Sequence, residues 1–407
     1  MTKPERTFEA APVKVGSEVQ LDLSELLFSC TDSNGVIQFA NDAFCRATGL
    51  SNEEVVGIPH KAVRHPDMPK ALFRMMWQTL EAGKYLGAYV KNQSRDGRFY
   101  WVFLTVAPIM DGYISVRIKP TSDLLRNMQG VYAQCLQLEQ DGATIEESTA
   151  ALVAGVRALG FDSYEAFQSV ALAAEFSARE AALSKVTRVA STRLTAAADA
   201  VFSMRRLASS MSTELKAVRT VPMNMRILAS RLENAGGPIS AISVNYGAML
   251  DEMSEWVKGF SQGDGNQLAQ MSQSILGAQF AFILSALQDE ICALQKADAV
   301  TAEWVFPSDQ TTKFRQGATQ ALTDAELESA KLARGIMDMK RHVTGLSSTR
   351  MLCKIESASL DTGGQALDGI IDQLDASQKT IEDQLGRIAD LNALIQSNAV
   401  QLNSGRA

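Results

Sequence analysis

Histidine is scarce in this sequence: three residues in 407, of which only His342 lies beyond position 65. That leaves too few for a histidine-rich metal centre, and there is no HExxH, GxSxG or P-loop motif. "DMKRHVTGL" (338–346) offers a helical histidine, but no ATP-binding lid follows it, so the chain is not expected to be an enzyme. The five cysteines (30, 45, 135, 292 and 353) are odd in number and include no CxxC pair, which reads as reduced thiols in a cytoplasmic protein. Long hydrophobic runs are lacking as well. The most apolar stretch, "ILGAQFAFILSAL" (275–287), has thirteen residues where a membrane span needs about twenty. Residues 1–21 have no apolar signal region and read as a disordered lead-in. There is no basic excess: residues 1–120 carry 14 Lys/Arg against 13 Asp/Glu and the remainder 25 against 33, which argues against nucleic-acid binding.

Proline is unevenly spread, and its distribution places the main boundary. Seven of the ten prolines fall within residues 1–120, and only Pro222, Pro238 and Pro307 follow. Proline breaks helix interiors, so the second part is free to be almost wholly helical. In the first part "LLFSCTD" (26–32), "VIQFA" (36–40), "YLGAYVKN" (85–92), "FYWVFLTVAPI" (99–109) and "YISVRI" (113–118) are rich in β-branched and aromatic residues. The turn signals "DSNG", "RDG" and "MDG" punctuate them, and "NDAFCRATG" and "KALFRMMWQTLEAG" between the second and third runs are helical. Two strands, short helices, then three strands predict an α+β domain over residues 22–120, with a five-stranded antiparallel sheet and flanking helices.

"GIPHKAVRHPDMP" (57–69) concentrates two histidines and three prolines beside Arg64 and Asp67. Pro59, Pro66 and Pro69 remove backbone freedom, which presents the intervening side chains at low entropic cost. Arg64 can fork two N–H groups onto phosphate oxygens, His65 adds a donor, and Asp67 can orient Arg64 or accept from a ligand. Together with "MMWQTLEAGKYLGAYVKNQSRDGRFYWV", this pattern resembles the PAS domain of bacterial aerotaxis receptors. The resemblance covers under a third of the chain. It implies FAD as cofactor and redox sensing as function, with Arg64, His65 and Asp67 needed for FAD and Asn41, Trp77 and Asn92 in the pocket. Of Tyr100 and Trp101, adjacent on one strand, only one can face that pocket. Haem is the second cofactor such domains carry, with His60 or His65 as axial ligand.

The rest reads as helix. Residues 121–170 look like a helical linker broken at Gly142 and Gly160. From Leu183 to Leu232 apolar residues alternate at 4-3 spacing, and the pattern resumes from Ile239 to Phe260. This predicts a coiled-coil hairpin over residues 171–262 with its tip near 234–238. Further helices over 263–407 end in a second 4-3 seam, Leu367 to Leu402, in which Asn392 is a polar register selector. "VPMNMRILASRLENAGGPISAIS" resembles a degenerate chemoreceptor signalling tip, with Asn224, Glu233 and Gly237 as the matching residues.

The sequence thus predicts a cytoplasmic PAS sensor holding FAD, followed by a long all-α coiled-coil or helical-bundle region. The partners expected are a second copy, as a homodimer, and a downstream signalling protein such as a chemotaxis kinase or coupling protein. No nucleic acid and no membrane span are expected. The alternative reading is a cofactor-free PAS and coiled-coil interaction protein.

Overall fold

The strand signals assemble, in a computed structural model, into one antiparallel sheet. The structure describes residues 17–183, 185, 188–230, 236–263, 265–297, 308–358 and 364–405. Strands β1 (Leu27–Asp32), β2 (Ile37–Ala40), β3 (Leu86–Gln93), β4 (Phe99–Ile109) and β5 (Gly112–Ile118) lie in the order β2-β1-β5-β4-β3. The turns form where short polar residues and glycine allow them. Asp32 accepts from the backbone N–H groups of Asn34 and Val36 at 2.9 Å each, while Gly35 takes φ +76°. Gly112 closes the tight β4–β5 turn at φ +154°, where an added Cβ would lie 2.0 Å from the Thr31 carbonyl oxygen. Of the expected lead-in, residues 1–16 lie outside the described residues; beyond them Val19 donates its N–H to the Phe99 carbonyl at 2.8 Å and Leu21 is buried.

Helices α1 (Asp42–Thr48), α2 (Asn52–Val55) and α3 (Lys70–Glu81) fill the connection from β2 to β3, together with a 3-10 turn at His60–Val63. Helices α4 (Leu124–Gln140), α5 (Ile145–Ala158) and α6 (Tyr164–Ala182) follow the sheet. They use side chains to satisfy the edge of β3, which no sixth strand pairs. Gly87 donates its N–H to Gln168 Oε1 at 3.0 Å, and the Tyr164 hydroxyl donates to the Gly87 carbonyl at 3.1 Å. The Tyr132 hydroxyl donates to the Tyr89 carbonyl at 3.0 Å, and the Tyr89 hydroxyl to Glu175 at 2.7 Å. Glu175, fully buried, also accepts from the backbone N–H groups of Thr121 and Ser122. At the other end of the same edge, His65 N–H donates to the Lys91 carbonyl at 3.2 Å and Arg64 bridges Asn92.

A helical linker over 121–170 and a hairpin and further helices beyond it were expected, and the division falls elsewhere. Helices α7 (Val189–Val218), α8 (Val221–Ala229), α9 (Gly236–Ser261), α10 (Gln267–Ala297), α11 (Ser308–Ala358) and α12 (Gly364–Asn403) complete the described elements. One compact unit comprises residues up to Thr195 with Leu276–Thr319, and the other Ala196–Ile275 with Gln320–Ala407. Helix α6 therefore belongs with the sheet rather than being split at residue 170. Its buried Arg179 donates to the carbonyls of Leu23 and Ser24 and grips Glu290 of α10 with two bonds of 3.0 and 2.7 Å. In the same unit Phe280 of α10 stacks on Tyr85 at 5.8 Å between ring centroids.

The seam expected to run unbroken from Leu183 to Leu232 is interrupted. Chain outside helix separates α6 from α7, and α8 begins anew at Val221 with Pro222 in its first turn, where the missing N–H costs no helical bond. Of the expected tip, Glu233, Asn234 and Ala235 lie outside the described residues, while Gly236, Gly237 and Pro238 open α9 rather than forming a turn. The last seam is buried at Ile371, Leu374, Ile381, Leu385, Ile388 and Ile395 of α12. Asn392, also buried, exchanges two hydrogen bonds with Ser329 of α11, donating to its carbonyl at 3.0 Å and accepting from its hydroxyl at 2.9 Å. One expectation about hydropathy is revised. Over Gln267–Ala293 the chain is long and apolar enough to cross a membrane by length and composition, but 72% of the most apolar part is buried within the protein.

Gly112→Ala is expected to destabilise the sheet unit by about 2 kcal/mol or more, since both the positive φ and the Thr31 carbonyl oppose a side chain. A urea melt followed by near-ultraviolet circular dichroism checks it.

Candidate functional site

A cavity of about 280 Å³ lies between the sheet and α3. Strand alternation aims Val90, Asn92, Leu104, Val106, Ser115 and Arg117 into it. Helix α3 covers it with Phe73, Met76, Trp77 and Leu80, residues spaced to share one face. Gly35 makes room for the indole: a Cβ there would stand 3.0 Å from Trp77 Cη2. Trp77 meets Tyr113 edge-on at 5.5 Å. Helix α3 is fixed at its first turn by Glu139 of α4, whose carboxylate accepts from the N–H groups of Lys70 and Ala71 at 2.9 and 3.0 Å.

The proline-rich loop is built to present Arg64. Pro59 opens the 3-10 turn at extended φ and ψ, and Pro69 leads into α3. The Arg64 guanidinium lies over Phe73, its Cζ 3.2 Å from the ring centroid, and burial lowers its pKa to about 10. Its Nε is buried and has no hydrogen-bond partner. Asn92 is 1% exposed, and its Nδ2 is likewise without one. The Tyr100 hydroxyl approaches Asn92 without completing a bond of ordinary geometry. Tyr100 and Asn92 are register partners on β4 and β3, so of Tyr100 and Trp101 it is Tyr100 that shares the face of Asn92.

Three of the six residues singled out in the sequence, Arg64, Trp77 and Asn92, line the cavity together. The other three do not. His65 Nδ1 accepts from the Asp67 N–H at 3.1 Å and its ring packs edge-on to Phe99, so it shapes the loop. Asp67 is exposed and pairs with Lys91 at 2.5 Å. Asn41 is wholly occupied in the fold: it accepts from the N–H groups of Phe28 and Phe44 at 2.9 and 3.1 Å and donates to the Leu26 carbonyl at 2.8 Å. It caps α1 and ties it to β1.

A PAS fold family model matches residues 24–121. This region is a PAS domain. It is similar to the aerotaxis receptor of Escherichia coli K12, 39% identical over 111 residues that make 26% of this chain and 22% of that protein. The nitrogen fixation regulatory protein of Klebsiella pneumoniae is 30% identical over 91 residues, 22% of this chain and 18% of that protein. The biofilm dispersion protein of Pseudomonas aeruginosa is 29% identical over 82 residues, 20% of each chain. The chain spans about a fifth of the length of these curated relatives. Among solved structures, a PAS domain from Colwellia psychrerythraea covers 24% of this chain and 86% of its own at 19% identity and a TM-score of 0.21. A light-oxygen-voltage domain studied with a flavin analogue covers 29% and 88% at 22% identity and a TM-score of 0.23.

Sequence reasoning missed the deepest charge in the PAS domain. Arg117 is 1% exposed and lines the cavity. Its Nη1 donates to Ser29 Oγ at 3.1 Å, its Nη2 donates to His60 Nε2, and its guanidinium lies 5.1 Å from the Phe44 ring centroid. A lone arginine at a cavity-facing position of the otherwise apolar strand "YISVRI" was the available signal. Burial lowers its pKa to about 10, so it stays charged at neutral pH. Since arginine only donates, His60 Nε2 accepts and the ring proton sits on Nδ1. Desolvation, reinforced by Arg117 and Arg64, holds the His60 pKa well below the ordinary 6.5.

Below about pH 6.5 the unfolded chain takes up a proton at position 60 that the folded PAS domain resists. Stability is therefore fully present above that pH and falls as the solution is acidified. His65, lowered chiefly by desolvation, acts in the same direction. Urea melts between pH 7.5 and pH 5 are expected to show a loss approaching about 1.4 kcal/mol per pH unit from His60, with His60→Gln giving a shallower slope.

Proposed function

We propose that the PAS domain is a flavin sensor, holding FAD in the cavity against α3 and passing the redox state of the flavin to the helices that follow. One observation carries this reading: an aromatic and aliphatic slot in which the buried Asn92 Nδ2, an N–H donor, is left without a partner. A slot of this kind suits a flat ring system with carbonyl and ring-nitrogen acceptors along one edge. Flavin supplies reversible electron uptake accompanied by changes of charge and protonation on the ring. The protein's own residues bind and orient. Trp77, Phe73 and Met76 exclude water, Asn92 donates toward the ring edge, and Arg64 with Lys61 supplies positive charge for the diphosphate. The name of the Escherichia coli relative, an aerotaxis receptor, agrees with this sensory role.

Haem finds less support. Of the three histidines only His60 lines the cavity, and its Nε2 is engaged by Arg117.

Transmission runs through groups already paired. A change felt at Asn92 acts on β3, whose edge is held by Tyr132, Tyr164 and Gln168, and a change in α3 acts on Glu139. We read the helices beyond residue 121 as the output, acting as a homodimer on a downstream signalling protein in chemotaxis or a related pathway, without catalysis of their own.

The purified protein is expected to show the absorbance bands of oxidised flavin and to release FAD rather than FMN on denaturation. Arg64→Ala is expected to lose most of it, since a charge-assisted donor contributes about 1.5–3 kcal/mol. A colourless protein that does not take up added FAD rejects the reading, and a Soret band replaces flavin by haem.

A further inference from the structure

We propose that Arg117, positioned by His60, is the ring-reading residue of the cavity and selects a planar ligand whose ring brings acceptor atoms, joined by negative charge once the ring is reduced, to the inner face of the sheet. This rests on the flavin reading above and assigns one of its determinants.

The cavity carries an imbalance of charge. Arg117 sits between leucines in the sheet, paired in register with Leu27 on β1 and Leu104 on β4. Its hydrogen-bond partners, Ser29 and His60, are neutral, as is the Phe44 ring beneath it. No carboxylate lines the cavity, whereas Lys61, Arg64 and Arg117 all do. A buried cation with only neutral partners is costly, because the hydrogen bonds replace part of its hydration and no counter-charge replaces the rest. Arg179 in the same unit shows the contrasting arrangement, a buried arginine paired with Glu290. The unpartnered Asn92 Nδ2 is a donor as well, so the polar capacity left open in the cavity is for acceptors.

The three positive groups differ in depth, which separates two tasks. Lys61 is exposed and Arg64 half-buried, so they suit the phosphates of a ligand whose tail reaches solvent. Arg117 is buried and suits the ring. A ligand with the ring but no phosphate should therefore depend on Arg117 and be indifferent to Arg64.

Riboflavin and FAD are the two probes, titrated into ligand-free full-length protein by flavin fluorescence, alongside thermal melts without ligand. Arg117→Met keeps the length and apolar stem while removing the charge. It is expected to weaken riboflavin and FAD by the same factor, about tenfold or more, while the ligand-free variant melts at or above the wild-type temperature because an uncompensated charge has left the interior. Arg64→Gln is expected to weaken FAD and leave riboflavin nearly unchanged. Equal affinities for wild type and Arg117→Met overturn the proposal. So does a ligand-free Arg117→Met that melts well below wild type or fails to fold, since that is the signature of a purely structural arginine. Wild-type protein that takes up neither flavin overturns the flavin reading itself, a result visible before any variant is made.

Discussion

The unpaired edge of β3 is the constraint around which the sensor domain is organised. A strand edge inside a folded unit must find hydrogen-bond partners for its outward N–H and carbonyl groups. Here two different parts of the chain supply them. The proline-rich loop takes Lys91 and Asn92, and side chains from α4 and α6 take Gly87 and Tyr89. Cavity loop and trailing helices are thereby joined to one short run of backbone. The location of Asn92 on that run ties the unpartnered amide at the cavity to groups that helices downstream hold directly.

The cavity has an equally simple logic. Its apolar walls come from alternation on three strands and from one face of α3, and its polarity is one-sided: cations and N–H donors without a carboxylate. A ligand's own charge completes the site. Glu175 shows how the fold treats the opposite case, a buried carboxylate compensated by donors of the chain itself from Tyr89, Thr121 and Ser122.

Much of this was legible in the sequence because the signals were local. The five strand runs with their Asp-Gly and Asn-Gly turns map onto β1 to β5 within a residue or two; the loop motif led to Arg64, and the family resemblance to Trp77 and Asn92. What was not legible depended on distant partners. Asn41 resembled a pocket residue, yet its amide is spent on Leu26, Phe28 and Phe44. His65 and Asp67 carry donor chemistry but turn it toward their own loop and Lys91. Arg117 was passed over because a single charge in a strand has no periodicity to announce it. The extent of α6 was misjudged because nothing local says which surface covers it: Glu175 and Arg179 assign that helix to the sheet, through partners more than fifty residues away in either direction. The helical seam was drawn through Pro222 because apolar spacing alone does not register a missing N–H.

The sheet-bearing unit is assembled from two stretches of chain, with Leu276–Thr319 returning to join the first 195 residues. In it Phe280 stacks on Tyr85 and Glu290 neutralises Arg179. A gene fragment that stops after the last strand therefore leaves the Tyr85 ring bare, and one that stops after α6 also leaves the Arg179 guanidinium without its carboxylate. Expression boundaries chosen from sequence similarity alone cut through this unit. A soluble minimal sensor calls for both stretches, joined by a short designed linker in place of the intervening chain.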